Sequence, residues 1–434
     1  MKFIVKSTTQ FSGTVQPPSS KSHSVRGLLL ATLANGTSHL QNVLRCDDTD
    51  AAIDVCRGLG ATLEIMENKL QGYDIAIRSN GVPFSSSANR IFTYNSGITT
   101  RFVLPMVGLR KDVNQSIVLD CGEQMRQRPI QPLVEILRKL GLSIQYSSNS
   151  VYPLVVTGQL QGGDAVVDGV TSQFISALLV SLPLAPLGSV IRVHELNERP
   201  YMDMTLSWLD EAGIRYEHRQ DRGYDVFKIS GRQRYLPFTK TIPGDFSSAS
   251  YIIAAAVLLP GKVKLHGLDM DDPQGDKRLI PILQSMGAQI EVKEGTIEIV
   301  GGAPLTAATI DCNDIPDLLP TLAVVATQAR GVTHLTNVPQ VRLKETDRLY
   351  SMFDGLTRLG ARVEEQADGL IIYESTLHGA TLSGYKDHRT VMALSVAGML
   401  ATGETTIDTA EAINKTFPNY VGVMNGLGAH FTSV

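Results

Sequence analysis

The chain is poor in most of the features that mark specialised proteins. Its four cysteines, Cys46, Cys56, Cys121 and Cys312, show no Cys-x-x-Cys spacing. That argues against a disulfide framework or a structural zinc site and fits a reducing compartment. No apolar run approaches the ~20 residues of a membrane span; Tyr251–Pro260 is the nearest and is too short. The opening Met1–Ser7 has an apolar run too short for a signal peptide, so a cytoplasmic location is expected. There is no basic excess: the net charge is -4, which argues against a general nucleic-acid binder and makes any basic site local. Gly-x-x-x-x-Gly-Lys-Ser/Thr, His-Glu-x-x-His, Gly-x-Ser-x-Gly and Gly-x-Gly-x-x-Gly are all missing. Nucleotide hydrolysis, zinc hydrolysis, an acyl-serine elbow and dinucleotide binding thereby lose their usual signatures.

What is present is a repeat. Across 434 residues, too many for one ordinary core, the pattern Leu59-Gly60-Ala61 returns as Leu140-Gly141-Leu142, Ala212-Gly213-Ile214, Met286-Gly287-Ala288, Leu359-Gly360-Ala361 and Leu427-Gly428-Ala429. Each copy follows an amphipathic segment, such as Pro132–Leu140 or Arg348–Leu359, and precedes an alternating apolar run. The pattern predicts a helix stopped by a C′ glycine, then a strand. Between these copies lie six more apolar helices: Val25–Ala34, Thr99–Leu109, Gln173–Pro183, Ala249–Leu259, Leu318–Ala329 and Arg389–Ala401. Segments apolar on all sides are expected to be buried. The turn-rich stretch Gly231–Gly244 leaves three units on either side. The expected fold is α/β: two similar domains with a cleft between them, the strand Phe3–Val15 belonging to either half.

Polar groups gather where these apolar helices begin: Ser19–Arg26, Asn95–Arg101, Thr171–Gln173, Gly244–Ser250, Ile315–Asp317 and Asp387–Arg389. Ser, Thr, Asn and Asp there are ordinary N-caps, and that reading suits Thr171, Ser247, Ser248 and Asp317. Lys21, Arg26, Arg101 and Arg389 do not fit it, because a cation at a helix N-terminus opposes the dipole. An external anion would relieve them. Arg126-Gln127-Arg128-Pro129 and Arg199-Pro200-Tyr201 add cations before other helices, with Pro129 and Pro200 suited to N1. In Val341–Leu349, Lys344 and Arg348 stand four apart, so one helix would place two like charges on one face. Glu345 reads there as a surface ion pair or as a proton-transfer group, and Asp347 as a brace for the arginine. Together these point to a small polyanion as ligand, with Arg suited to carboxylate or phosphate and Lys able also to move a proton.

Taken in order, Lys21-Ser22-x-x-x-Arg26, Asn95-x-Gly97, Arg128-Pro129, Ser172-Gln173, Lys344-Glu345-Thr346-Asp347-Arg348, Asp387-His388-Arg389 and Lys415-Thr416-Phe417-Pro418 resemble the EPSP synthase family of enolpyruvyl transferases over nearly the whole chain. The resemblance implies two inverse α/β domains, each of three βαβαββ units. The first strand would join the C-terminal half, giving a discontinuous domain of residues 1–20 and 241–434 with 21–240 inserted. It implies carboxyvinyl transfer from phosphoenolpyruvate to the 5-hydroxyl of shikimate 3-phosphate by addition and elimination. No metal or organic cofactor is implied, and no nucleic acid or membrane; a monomer is expected.

By the same resemblance, Lys21, Ser22, Arg26, Thr171, Ser172, Gln173, Arg199, Tyr201, Asp317 and Lys344 hold shikimate 3-phosphate, with Arg199 near its phosphate. Lys21, Asn95, Gly97, Arg128, Gln173, Arg348, Arg389 and Lys415 hold phosphoenolpyruvate. Asp317 deprotonates the 5-hydroxyl, and Lys21 or Glu345 protonates the vinyl carbon. Two departures stand out: Ile98 replaces a threonine and Phe102 a proline of the family's pattern, which implies weakened binding of glyphosate. Glu198-Arg199-Pro200-Tyr201 also differs from common members. Two alternatives stay open. One is the sister UDP-N-acetylglucosamine 1-carboxyvinyltransferase, with Cys121 as its loop thiol; the other is a non-catalytic anion binder, for which Asp317 and Glu345 would be dispensable.

Overall fold

A computed structural model of the chain describes residues 1–69, 72–86, 88–147 and 150–434. It divides into two compact units: Met1–Pro18 with Pro243–Val434, and Ser19–Ile242. The fold is mixed α/β, and one module accounts for nearly all of it.

Three four-stranded sheets lie in each unit, all with one pattern. In the sheet of Arg90–Phe92, Ile117–Asp120, Leu142–Ser147 and Ser150–Gly158, the first two strands pair in parallel. The others add antiparallel, with Ser150–Gly158 inside and Leu142–Ser147 on the edge. A buried helix, Gly97–Met106, makes the parallel crossover, and an amphipathic helix, Gln131–Lys139, leads into the edge strand. Parallel neighbours need such a crossover, whereas the antiparallel pair needs only a turn.

Three of the six modules are completed from afar. Thr239–Thr241 pairs in parallel with Asn35–Val43, because the helix Lys21–Leu33 has no strand just before it in its own unit. In the other unit, Gly13–Val15 pairs in parallel with Gly261–His266. Phe3–Lys6 lies between Glu404–Ile407 and His430–Ser433. The single strand expected over Phe3–Val15 is thus two short ones in different sheets of the same unit. The segment between them is pinned by Thr8 N–H to Met399 O and Phe11 N–H to Pro260 O, both 2.9 Å, with Phe11 buried.

The six repeat glycines do what their spacing predicts. Each has φ between 69° and 111°, a left-handed conformation costing an L residue about 1–2 kcal/mol. In five of the six the following N–H reaches the carbonyl five residues back, as Ala61 does to Cys56 and Ala288 to Leu283. This is the Schellman closure. The buried helices are also as expected: in Phe246–Leu258 only the last residue escapes full burial. Each unit has its own core, centred on residues such as Ile252, Leu322 and Leu394 in one and Leu29, Val103 and Leu178 in the other.

The glycines are not equivalent. A Cβ on Gly213 meets nothing within 4 Å, while on Gly141 it lies 2.6 Å from Gln159 O. Gly213→Ala is expected to cost about 1 kcal/mol, the conformational term alone, and Gly141→Ala distinctly more. Chemical denaturation of the two variants checks this order.

Candidate functional site

Each unit gathers its polar groups where its buried helices begin. In the unit holding the C-terminus, Arg348 is the centre. Its side chain is 1% exposed, and it donates from Nε to Asp387 (2.9 Å), from Nη1 to Asp317 (2.7 Å) and from Nη2 to Glu345 (2.9 Å). Burial would lower its pKa, but the charges of Asp387, Glu345 and Asp317 overcome that and raise it. Two of these acids reach further. Asp317 takes Arg389 Nη2 at 2.6 Å on its other oxygen, and Glu345 takes Lys415 Nζ at 3.0 Å. Asp387 also caps its helix, accepting from Arg389 N at 2.7 Å. Three cations and three carboxylates thus form one alternating lattice.

Several expectations change here. Lys344 and Arg348 do not share a helix: Lys344 follows the 3-10 turn Pro339–Leu343, and the helix Arg348–Arg358 starts after Asp347. Asp347 caps Tyr350 N at 3.1 Å and pairs with Arg342 at 2.6 Å, so it braces Arg342 rather than Arg348. Glu345 is a buried bridge, not a surface ion pair. Asp317 sits inside a 3-10 turn, Pro316–Leu318, and bridges two arginines instead of capping. Asp245, not Ser247 or Ser248, caps the helix Phe246–Leu258.

A residue that sequence reasoning passed over lies beside this lattice. Asp276, within the turn Gly275–Arg278, is buried and accepts a short hydrogen bond from Ser247 Oγ. Burial, then the charge of Asp317, pushes its carboxyl up to about 7 against the pull of Arg389. In Gln274–Arg278 the sequence reads as a solvated polar turn, and nothing in it signals burial.

The other unit is built alike. Lys21 opens its helix and pairs with the buried Asp48 at 3.2 Å. Arg26, almost fully buried, spends Nε on Thr205 Oγ1 (2.9 Å), Nη1 on Ser22 O (3.0 Å) and Nη2 on Tyr201 O (2.8 Å). Phe102 lies under its guanidinium, 5.4 Å from ring centre to Cζ. Burial lowers the Arg26 pKa to about 10. Arg26 therefore fixes the backbone at Ser22 and Tyr201. Arg101 ties Gln173 Oε1 (2.7 Å) to Pro129 O (2.9 Å). Gly97 is required where it stands, because a Cβ there would lie 2.5 Å from Arg128 Nη1 and 2.8 Å from Arg101 Nη1. Asn95 Oδ1 accepts from Met125 N at 3.4 Å, holding the turn that leads to Arg128. Thr171 caps Gln173, and Ser172 N–H and Oγ both reach Glu198. Arg199 pairs with Asp225 at 2.7 Å. Pro200 lies in the first turn of Arg199–Glu211, but Pro129 precedes its helix, whose early proline is Pro132.

The cations at helix starts are therefore not left to an external anion alone. Asp48, Asp225, Asp317, Glu345 and Asp387 serve them within the chain, and tertiary contact rather than sequence neighbourhood supplies most of these acids. Cys121 is 1% exposed, and burial pushes its thiol up to about 12, so it is a packed side chain, not a reactive thiolate.

An α/β protein of repeated modules, with paired cations and acids at the starts of its buried helices, defines a handler of small polyanions. The sequence model described as EPSP synthase (3-phosphoshikimate 1-carboxyvinyltransferase) matches residues 5–424. The chain is 44% identical over 425 residues, 97% of both chains, to the 3-phosphoshikimate 1-carboxyvinyltransferase of Acetivibrio thermocellus. It is 36% identical over 433 residues, 98% of this chain and 99% of the other, to that of Methanococcus maripaludis. It belongs to the EPSP synthase family. Among solved structures it is similar to EPSP synthase from Acinetobacter baumannii, at 24% identity, full coverage of both chains and a TM-score of 0.81, a likeness of fold. No helix among the described residues is long and apolar enough to cross a membrane.

Asp276 gives a prediction whose sign is fixed. Its pKa is about 7 in the folded protein and about 3.9 unfolded, so the native state holds the extra proton between those values. Stability from this group is present below about pH 4 and is lost as pH rises to about 7. Asp276→Asn removes the loss. Relative to wild type, its unfolding midpoint should be several degrees more favourable at pH 8 than at pH 5, measured by thermal scans at both.

Proposed function

We infer that the chain transfers the carboxyvinyl group of phosphoenolpyruvate to the 5-hydroxyl of shikimate 3-phosphate, releasing phosphate, in the shikimate pathway that leads to chorismate and the aromatic amino acids. The observation that carries this is the lattice of Asp317, Glu345, Arg348, Arg389 and Lys415, in a chain with near-full-length relatives of that activity.

Shikimate 3-phosphate is assigned to Ser22, Thr171, Ser172, Gln173 and Tyr201, with Lys21, Asp317 and Lys344 completing its contacts. Arg26 acts by fixing Ser22 and Tyr201. The phosphate belongs at the start of Ser172–Ser181, beside Arg199, where the helix dipole and the N–H of Ser172, which Glu198 accepts, favour an anion. Phosphoenolpyruvate draws on Lys21, Asn95, Gly97, Arg128 and Gln173, and on Arg348, Arg389 and Lys415.

The chemistry follows from the lattice. When phosphoenolpyruvate's oxyanions take up Arg348 and Arg389, the Asp317 carboxylate loses its partners and can accept the proton of the 5-hydroxyl. A proton from Glu345 or Lys21 goes to the vinyl carbon, and the sugar oxygen bonds to the adjacent carbon, giving a tetrahedral intermediate. Elimination returns a methyl proton to the protein as the C–O bond to phosphate breaks, which restores the double bond. Fixed cations facing the developing charge need no reorganisation during the step.

Neither rival reading has a supporting group: Cys121 is buried, and a mere binder would not need Asp317 held between two arginines. The chain is assigned to the cytoplasm, as a monomer. Phosphate release should require shikimate 3-phosphate with phosphoenolpyruvate and should not occur with UDP-N-acetylglucosamine. Asp317→Asn is expected to lower kcat by about a hundredfold or more, with the Kd of shikimate 3-phosphate held within a few-fold by calorimetry; retained turnover would refute the role. Ile98 and Phe102 are buried in the helix carrying Gly97, so Ile98→Thr/Phe102→Pro should lower the inhibition constant of glyphosate; equal constants would show these positions are neutral.

A further inference from the structure

Glu198 is the residue of the second cluster that no role above absorbs. It stands just before the helix Arg199–Glu211 with φ 59°, a left-handed conformation that glutamate seldom adopts, and it is 1% exposed. Its Oε2 accepts from Ser172 Oγ (2.9 Å), Ser172 N (3.3 Å) and Thr171 Oγ1 (3.4 Å). A buried carboxylate thus occupies the N-terminus of the helix Ser172–Ser181. One residue further on, Arg199 is held by Asp225, which is itself buried and also contacts His218 Nε2 at 2.8 Å. Both groups that suit a phosphate in this cluster already carry a carboxylate of the chain.

We propose that Glu198 is an internal anion which the substrate's phosphate must displace from the start of Ser172–Ser181, and that it sets the affinity and the charge selectivity of this subsite. The proposal rests on the assignment of shikimate 3-phosphate to Thr171 and Ser172. The Glu198 carboxylate satisfies the Ser172 N–H and the helix dipole, which keeps the helix start ordered. A phosphate monoester carries about -1.5 to -2 charges at neutral pH, so exchanging it for a single carboxylate charge is favourable. A singly charged group gains nothing in that exchange. The left-handed backbone at Glu198 adds to the tendency of this segment to rearrange once its hydrogen bonds are taken over. The cost of the arrangement is affinity: part of the binding free energy of the phosphate goes into evicting Glu198.

The test is calorimetric binding of shikimate 3-phosphate to Glu198→Gln and Glu198→Asn, the second chosen because asparagine tolerates the left-handed backbone. Each should bind it about three- to ten-fold more tightly than wild type. KM for this substrate should fall in parallel, while the affinity for unphosphorylated shikimate stays as it was. An unchanged or weaker Kd in a variant that keeps the wild-type unfolding midpoint overturns the proposal. So does failure of both variants to fold, which would make Glu198 a structural brace. Ser172→Ala separates this inference from the reading beneath it. If it leaves the Kd of shikimate 3-phosphate unchanged, the substrate is not held at this helix start and both fall. If it weakens binding while the Glu198 variants fail to strengthen it, Glu198 alone is misassigned.

Discussion

A guanidinium withdrawn from water must be surrounded by acceptors, and the way this chain meets that demand organises the rest of it. Arg348 is met by Asp317, Glu345 and Asp387, each brought from a different segment. Two of those acids then hold Arg389 and Lys415. Removing one member of such a buried set typically costs about 3–5 kcal/mol, because the others are left charged and unmatched. The helix starts at Pro316–Leu318, Arg348–Arg358 and His388–Leu400 are therefore fixed against one another by charge as well as by packing.

Arg110 shows what a purely structural solution looks like. It is as buried as Arg348, yet its bonds run to the carbonyls of Val107, Val113 and Gln115. Carbonyls cannot be exchanged for a ligand without unmaking the fold. Carboxylates can, since a phosphate or a substrate carboxylate offers the same geometry and charge. A cation paired with a side-chain acid is matched within the chain and is still exchangeable for an anionic ligand. Asp48 on Lys21 and Asp225 on Arg199 follow the same rule.

Much of the fold was legible from residue order. The six Leu/Met/Ala-Gly repeats marked the helix ends because a left-handed residue there is nearly always glycine, and the all-apolar segments marked the buried helices because no face of them could meet water. Strand pairing was less legible. Phe3–Lys6 and Gly13–Val15 look like one run in the sequence, and only their different partners divide them. In the site, the cations were visible as misplaced charges at helix starts, and the motif order implied ligands for them only by resemblance. Asp48 and Asp276 were not visible: the first resembles an acidic first turn of a helix and the second a solvated turn.

The sequence by itself determined the modules, their ends and the positions where charge would be anomalous, since these depend on local periodicity, glycine conformation and helix dipoles. The tertiary structure decided what balances each charge. It took Asp347 from Arg348 and gave it to Arg342, made Glu345 a buried bridge, laid Glu198 over the start of Ser172–Ser181, and raised the Asp276 carboxyl towards neutrality. Those outcomes depend on distance and desolvation between segments far apart in the chain, and neither quantity is encoded in residue spacing.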